Sequence, residues 1–328
     1  MRVLVTGGAG YIGSHTVRAL LDAGHEPVVL DSLEHGHAAA VPPEVLVVGT
    51  VEGGQALPLL FGRYGFDAVI HFAGYIEARE SAANPGKYYR NNVAHTLELL
   101  DRMLQFGVRH LVFSSSAGVY GVPSRVPIPE EELPRPINPY AATKAMVERV
   151  LADYQAAHGL RSVALRYFNA AGAHPSGTLG EAHRGESHLI PRVLRVAQGL
   201  EERVTVFGTD HPTPDGTCIR DYIHVCDLAR AHVLALEALR AGQTAPIYNV
   251  GTGRGYSVHQ VIETCQRVTG RTIPWEAVPR FAGDPPVLVA DPTRIQAELG
   301  WRPERPGLQE IIQTAWRWHA THPNGYGD

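Results

Sequence analysis

Arg2-Val3-Leu4-Val5-Thr6-Gly7-Gly8-Ala9-Gly10-Tyr11-Ile12-Gly13-Ser14-His15 is the stretch that decides the fold. Residues 2–6 are apolar and β-branched, as expected of a strand buried on both faces of a parallel sheet. Three glycines spaced by three follow, at Gly7, Gly10 and Gly13. The spacing predicts a helix over Thr16–Ala23, with Val17, Leu20 and Leu21 on its apolar side and Gly24 closing it. A second strand, Pro27–Leu30, ends in Asp31, 18 residues beyond Gly13. Glycines let backbone N–H groups approach a pyrophosphate at a helix N-terminus, and an acid about 20 residues further on suits a ribose hydroxyl. The unit therefore reads as a dinucleotide-binding βαβ. Asp31 followed by Ser32 and Leu33, with no arginine, favours NAD over its 2′-phosphorylated form. His35 and His37 read as loop residues.

Working outward, further strands are expected at Val45–Val48, Ala68–His71, Leu111–Ser114 and Val163–Tyr167. Helical patterns at Val93–Phe106 and Tyr140–His158 separate several of them. Asn138 is placed to cap the latter helix, Pro139 to occupy its first position and Gly159 to follow its end. Alternating strands and helices give an α/β, Rossmann-like, doubly wound parallel sheet over residues 1–170. Beyond about residue 170, Pro and Gly punctuate shorter elements, which predicts a smaller mixed α/β substrate-binding lobe over 171–328. Tyr248-Asn249-Val250-Gly251 is the candidate strand for a return to the first sheet near 220–250.

Composition narrows the function. The 328 residues are 44% apolar and 19% charged, with a formal net charge of −4. This gives no reason to expect nucleic acid or membrane as a partner. No apolar run approaches the ~18 residues of a membrane span, and the chain enters its first strand directly, so no signal peptide is expected. Cys218, Cys226 and Cys265 are sparse and lack Cys-x-x-Cys spacing, which suits a reducing cytoplasm. The 17 histidines form no His-Glu-x-x-His pattern, and no metal is assigned.

Two stretches carry the chemistry: Ser114 to Gly121, containing Ser116, and Pro139-Tyr140-Ala141-Ala142-Thr143-Lys144. Positions four apart share a helix face, so Lys144 is expected beside the Tyr140 phenol. A phenol ionises near pH ~10, and a cation about 4 Å away contributes on the order of 4 kcal/mol at an effective dielectric near 20. That is roughly three pKa units before desolvation is counted, enough for Tyr140 to take a proton from a substrate hydroxyl. Alone, Tyr-x-x-x-Lys also describes a surface helix with an aromatic on its buried edge. The glycine stretch supplies the context.

Together, these motifs resemble the extended short-chain dehydrogenase/reductase superfamily. The match narrows to the UDP-glucose 4-epimerase (UDP-galactose 4-epimerase) family through Val5–His15, His71-Phe72-Ala73-Gly74, Asn91-Asn92-Val93, Ser114–Gly121, Arg166–Gly177, Asp215–Val225 and Leu299-Gly300-Trp301. The resemblance implies an isomerase with bound NAD. Tyr140 would remove the sugar 4′-hydroxyl proton as hydride passes to the nicotinamide, Ser116 would shuttle the proton, and Lys144 would tune Tyr140 and hold the ribose. The 4-keto sugar would then turn and take the hydride on its other face. It further implies NAD contacts from Gly7, Gly10, Tyr11, Ile12, Gly13, Asp31, Ser32, Thr50, Val51, Phe72, Ala73, Gly74, Asn91, Ser114, Tyr140, Lys144, Tyr167 and Phe168. Implied contacts to UDP-glucose or UDP-galactose come from Ser116, Tyr140, Asn169, His188, Leu189, Phe207, Arg220, Arg280 and Asp284. A homodimer through helices near 93–106 and 140–158 belongs to the same implication.

Departures from the family pattern are Thr50 in place of an adenine-binding Asp and Ile76 in place of a Lys near the cofactor phosphates. Phe281, in Arg280-Phe281-Ala282-Gly283-Asp284, stands where a second diphosphate-binding Arg is usual, with Arg280 as a candidate to compensate. His188 replaces an Asn found in some members, and Leu288 lies at the position gating N-acetylated sugars. The rivals are an epimerase of another UDP-sugar, a 4,6-dehydratase and a non-catalytic NAD-sensing protein. Ala117-Gly118 stands where a dehydratase carries an acid pair, and the intact Ser116, Tyr140 and Lys144 argue against a purely sensing role.

Overall fold

The computed structural model describes residues 1–54, 56–242, 246–281 and 283–327. Ala282, and residues 243–245 within the expected return, lie outside the described residues. The first half of the chain alternates strands β1 (Arg2–Thr6), β2 (Glu26–Asp31), β3 (Leu46–Val48), β4 (Ala68–His71), β5 (His110–Ser114) and β6 (Arg161–Tyr167) with helices. These helices are α1 (Tyr11–Asp22), α2 (Ala56–Tyr64), α3 (Ala78–Ala83), α4 (Pro85–Tyr89), α5 (His95–Gln105) and α6 (Pro139–His158). The second half holds β7 (Asn169–Ala171), α7 (Leu189–Gln198), β8 (Val204–Phe207), β9 (Ile219–His224) and α8 (Val225–Ala241). It continues through β10 (Ile247–Val250), β11 (Gly255–Ser257), α9 (Val258–Thr269), β12 (Trp275–Val278), β13 (Val287–Leu288), α10 (Thr293–Leu299) and α11 (Leu308–Thr321).

The described residues build a seven-stranded parallel sheet in the order β10-β6-β5-β4-β1-β2-β3. The order reverses between β1 and β4, and ligands bind outside the carboxyl ends of strands at such a switch point. Gly7 follows β1 and Phe72 follows β4, so both motifs open onto that crevice. Period-two alternation puts Val3 and Val5 in one apolar core beside α1 and α8, while Leu4 enters the opposite core with residues of α5 and α6. Both faces of the sheet are thus covered, which explains why these strands read as continuous apolar runs. β10 joins the far edge, its Tyr248 and Asn249 in register with Leu165 and Arg166 of β6.

The first helix begins at Tyr11, five residues before the expected Thr16. Gly10 is its extended N-cap, and the Ser14 N–H reaches the Gly10 carbonyl at 2.9 Å. The early start depends on Gly13: a Cβ there would lie 2.3 Å from the Gly7 carbonyl oxygen. Helix α6 follows its expected caps. The Asn138 side chain accepts from the Ala141 N–H at 2.9 Å, and Gly159 takes the left-handed conformation at φ 67°.

The smaller lobe joins β11, β9 and β13, with β7 added to β9, and a separate parallel pair, β8 and β12. Helices α7, α9 and α11 bury Val193, Leu194, Val261, Ile311 and Ile312 between them. Asp221 on β9 ties the lobe to its loops. Its buried carboxylate accepts N–H bonds from Thr252 and Gly253 at 2.9 Å each and from Ala290 at 3.2 Å.

Beneath the crevice, α6 is keyed to β6 by a buried ion pair. Arg166 forks onto Glu148, Nε to Oε1 at 2.9 Å and Nη2 to Oε2 at 2.5 Å, with side chains only 3% and 7% exposed. Removing one partner of such a pair leaves an uncompensated buried charge, at about 3–5 kcal/mol. Arg166→Met should therefore lose about that much in urea denaturation, and Arg166→Met/Glu148→Gln should regain a substantial part. A single-variant loss below about 1 kcal/mol would show that the pair does not hold α6.

Candidate active site

The crevice is a cleft of about 520 Å³ lined from β1, β2, β4, β5 and α6 on one side and residues 167–170 and 181–188 on the other. Its floor is shaped by missing side chains: a Cβ on Gly7 would meet the Ala73 nitrogen at 2.6 Å. Every residue implied above to touch NAD lines this cleft, including Thr50, Val51, Asn91, Tyr167 and Phe168. Asp31, 7% exposed at the end of β2, is oriented by N–H bonds from Ala9 and Leu33, each 2.9 Å. An acceptor fixed this way fits a ribose hydroxyl.

Ser116, Tyr140 and Lys144 meet on one wall. Ser116 caps the short turn Ala117–Tyr120, its Oγ accepting from the Gly118 N–H at 3.1 Å. The Lys144 ammonium donates to the Ser114 carbonyl at 2.8 Å and lies 5.9 Å from the centre of the Tyr140 ring. Burial lowers its pKa to about 8 against the opposing charge of Glu148. Burial raises the Tyr140 phenol above its ordinary value, the Ser116 hydrogen bond pulls it down, and the Glu77 charge pushes it up again. The expected lowering of the phenol by Lys144 does not dominate: the ammonium is turned to the Ser114 carbonyl, and burial is the largest influence on Tyr140.

Asn92, which the sequence reading did not single out, positions this wall. Its Oδ1 accepts from the Tyr75 N–H at 2.9 Å, and its Nδ2 donates to the Tyr75 carbonyl at 3.0 Å and to Thr143 at 3.1 Å. The loop after β4 is thereby locked to α6. A π turn over Arg90–Ala94 lets Asn91 line the cleft while Asn92 is buried. His35, read above as a loop residue, also lines the cleft, whereas His37 is buried and bonded to the Ala182 carbonyl.

Of the residues implied for the sugar nucleotide, Ser116, Tyr140, Asn169 and His188 line the cleft. Leu189, Phe207, Arg220, Arg280 and Asp284 are not among the residues lining it. Leu189 opens α7 and packs on the small-lobe core. The other four gather around Phe281 and Asp284. Arg220 pairs with Asp284 at 2.9 Å, Arg280 with Asp210 at 3.3 Å, and the Phe207 and Phe281 rings lie 4.9 Å apart. Asp221, the alternative partner for Arg220 by adjacency, is instead buried on its backbone donors, because consecutive strand residues face opposite ways.

A second cluster was not anticipated. Glu181, His183, Glu186 and His188 bring their polar atoms within 4.8 Å of one another. His188 Nδ1 lies 2.7 Å from Glu181 and 3.3 Å from Glu186; His183 Nδ1 lies 3.3 Å and 3.4 Å from the same acids. Burial disfavours charge on all four, but their mutual pairing outweighs it. Both carboxyls titrate below their ordinary range, His188 well above its own, and His183 at about 9. At neutral pH the cluster is two cations against two anions. A metal would have to displace both protons, since imidazole ligates only when neutral.

The model of the NAD dependent epimerase/dehydratase family matches residues 3–251, and the chain belongs to this family. The UDP-glucose 4-epimerase of Halalkalibacterium halodurans is 50% identical over 326 residues, covering 99% of this chain and 98% of that protein. The fold matches the UDP-glucose 4-epimerase of Brucella ovis solved in complex with NAD, with a TM-score of 0.93 at 50% identity, covering 96% and 97% of the two chains. It likewise matches the Bifidobacterium longum enzyme in complex with NAD+ and UDP, with a TM-score of 0.93 at 38% identity and 99% and 100% coverage. The resemblance drawn from the motifs and the Rossmann-like fold class are borne out.

The histidine pairs set a pH dependence. Unfolded histidine titrates near ~6.5, so the stabilisation from a folded value of about 9 is complete below ~6.5 and lost as pH rises through about 9. The midpoint of thermal unfolding should therefore fall between pH ~7 and ~9.5, and His183→Gln should flatten that fall. An unchanged slope in the variant would remove His183 from the cluster.

Proposed function

We propose that this chain catalyses the reversible epimerisation of UDP-glucose and UDP-galactose at the sugar C4 through a transient 4-keto sugar, with NAD bound. The observation that carries the reading is the meeting of Ser116, Tyr140 and Lys144 beside a glycine-floored crevice that ends in Asp31. The roughly 50% identity to UDP-glucose 4-epimerases over the full chain supports it. The protein is an isomerase of the nucleotide-sugar class.

NAD supplies the hydride acceptor and a positively charged ring. The chain's own groups do the rest. Gly7, Gly10 and Gly13 keep the crevice floor at backbone level, where N–H groups of the first turn of α1 meet phosphate. Asp31 takes the ribose hydroxyls. Tyr140 accepts the C4 hydroxyl proton through its phenolate oxygen, and the Ser116 hydroxyl stabilises that phenolate and passes the proton. Lys144, with its pKa lowered to about 8, donates to the Ser114 carbonyl and keeps a cation near the phenol. Asn169 and His188 face the sugar. Arg220, paired to Asp284, anchors the diphosphate beyond the cleft, and Phe207 lies beside the uracil. Leu189, Arg280 and Asp284 are the further proposed contacts to the sugar nucleotide, Asp284 through its pairing with Arg220. The nucleotide stays fixed while the keto sugar turns.

This reading divides the chain into a cofactor part, residues 1–170 with the returning β10, and a sugar-nucleotide part within 171–328. We also place a homodimer contact on α5 and α6, near which Phe106 and Met146 are exposed apolar side chains. The cytoplasm is the proposed compartment. Its reducing conditions suit three free cysteines, whose thiols burial pushes up, Cys226 to about 12. No helix among the described residues is long and apolar enough to cross a membrane.

Purified protein incubated with UDP-galactose should yield UDP-glucose to an equilibrium mixture by NMR. Tyr140→Phe should lower turnover by at least ~10². A fall of only a few-fold would take Tyr140 out of the acid–base role. No interconversion with NAD added would point to another nucleotide sugar.

A further inference from the structure

Arg79, on α3, is set apart from the other arginines near Phe281 and Asp284. Its guanidinium carbon lies 4.3 Å from the centre of the Phe207 ring and 4.1 Å from that of Phe281. Those rings tilt 32° to each other with centres 4.9 Å apart, so the guanidinium caps the pair from the opposite lobe. Among the described residues, Arg79 has no hydrogen bond and no ion pair; its partners are these two rings. The neighbouring acids are occupied. Glu77 accepts from Ser187 at 3.0 Å, and Glu80 accepts from Lys87 at 2.6 Å and Tyr88 at 2.8 Å. Arg220 and Arg280 each have a carboxylate of their own, Asp284 and Asp210.

Stacking occupies the flat face of a guanidinium and leaves its N–H fork free in the plane, the geometry that receives phosphate oxygens in pairs. The location is specific. Glu77 and Glu80, on either side of Arg79 in sequence, line the cleft. Phe281, which Arg79 covers, is joined to Asp284, the partner of Arg220, by a 3.2 Å bond from the Asp284 N–H to the Phe281 carbonyl. Phe281 and Asp284 thus each carry a guanidinium, Arg79 over the one and Arg220 on the other. An acid-lined mouth with Glu77 and Glu80 would otherwise repel a dianion entering it.

We propose that Arg79 binds the diphosphate of the sugar nucleotide, as the second guanidinium beside Arg220. The inference rests on the nucleotide-sugar reading above and adds a residue to it. Arg79 closes from the cofactor side over a ligand that Arg220 holds from the small lobe.

The test is calorimetric titration of the holoenzyme with UDP and, separately, with uridine, for the wild type, Arg79→Ala and Arg79→Ala/Phe281→Arg, with kinetics on UDP-galactose. Arg79→Ala should weaken UDP roughly ten- to a hundredfold, as expected for lost charge-assisted bonds. It should raise KM to a similar degree with kcat within a few-fold and leave uridine affinity unchanged. The double variant should regain most of the UDP affinity, because position 281 reaches the same space. UDP affinity within twofold of wild type in Arg79→Ala would overturn the proposal. So would an equal loss for UDP and uridine, which would make Arg79 a support for the Phe207 face only. A wild type that binds no UDP would overturn the nucleotide-sugar reading and this inference with it; wild-type UDP binding that Arg79→Ala leaves intact overturns this inference alone.

Discussion

The fork between Arg166 and Glu148 is the constraint on which the active wall depends. Glu148 lies four residues beyond Lys144 and eight beyond Tyr140, so all three share one side of α6. The same carboxylate accepts from Ser115 at 2.6 Å, just past β5 and next to Ser116. Arg166 also donates to the Tyr120 hydroxyl at 3.0 Å, and Tyr120 donates to Asn249 of β10 at 2.7 Å. One buried pair therefore sets the rotation of α6, the course of the Ser114–Tyr120 loop and the seating of the last strand. Two charges this deep are tolerable only because the geometry is bidentate and the remaining polar atoms are partnered. Shifting any one member would misplace Tyr140 against Ser116, where fractions of an ångström govern proton transfer.

The same burial that fixes the wall sets its electrostatics. By sequence alone, Lys144 and Tyr140 are a cation beside an anion in a medium of intermediate dielectric. The structure adds the larger opposing quantity. Desolvation raises the phenol and lowers the ammonium to about 8, so each group resists its charged form. The nearest counterweight is the Ser116 hydroxyl, with the Glu77 charge working against it. Ionising Tyr140 in that condition calls for further positive charge beside it.

Local sequence made the cofactor side legible because its determinants are local. Strand, glycines and acid follow within thirty residues, and Asn138, Pro139 and Gly159 mark the ends of α6. What escaped depends on contacts across the chain. The start of α1 is set by the closeness of Gly13 to Gly7 rather than by helical periodicity. Asn92 is one of two adjacent asparagines, and only the π turn shows which is the anchor. Glu181, His183, Glu186 and His188 look like a polar loop until their charges are seen to balance. Phe281, read alone, is a lost positive charge; in the fold it lies beneath the guanidinium of Arg79, two hundred residues earlier in the chain.

The two sides of the crevice differ in how firmly they are held. The dinucleotide side is made of strand ends, backbone at glycines and buried anchors such as Asp31, Asn92 and His71, the last held between Thr6 at 2.6 Å and Thr96 at 3.0 Å. Opening it means breaking the central sheet. Arg280 and Asp284 are held instead by pairs that reach the surface: Arg280 with Asp210, 44% and 67% exposed, and Arg220 with Asp284, 13% and 27%. The exposed Arg280–Asp210 pair contributes little stability, so rearranging it costs little. Hydrogen bonds also cross between the two sides, Tyr11 to the Gly172 carbonyl at 2.6 Å and Ser187 to Glu77 at 3.0 Å. A firmly held wall with Ser116, Tyr140 and Lys144 is thus faced by one that hangs on weaker contacts.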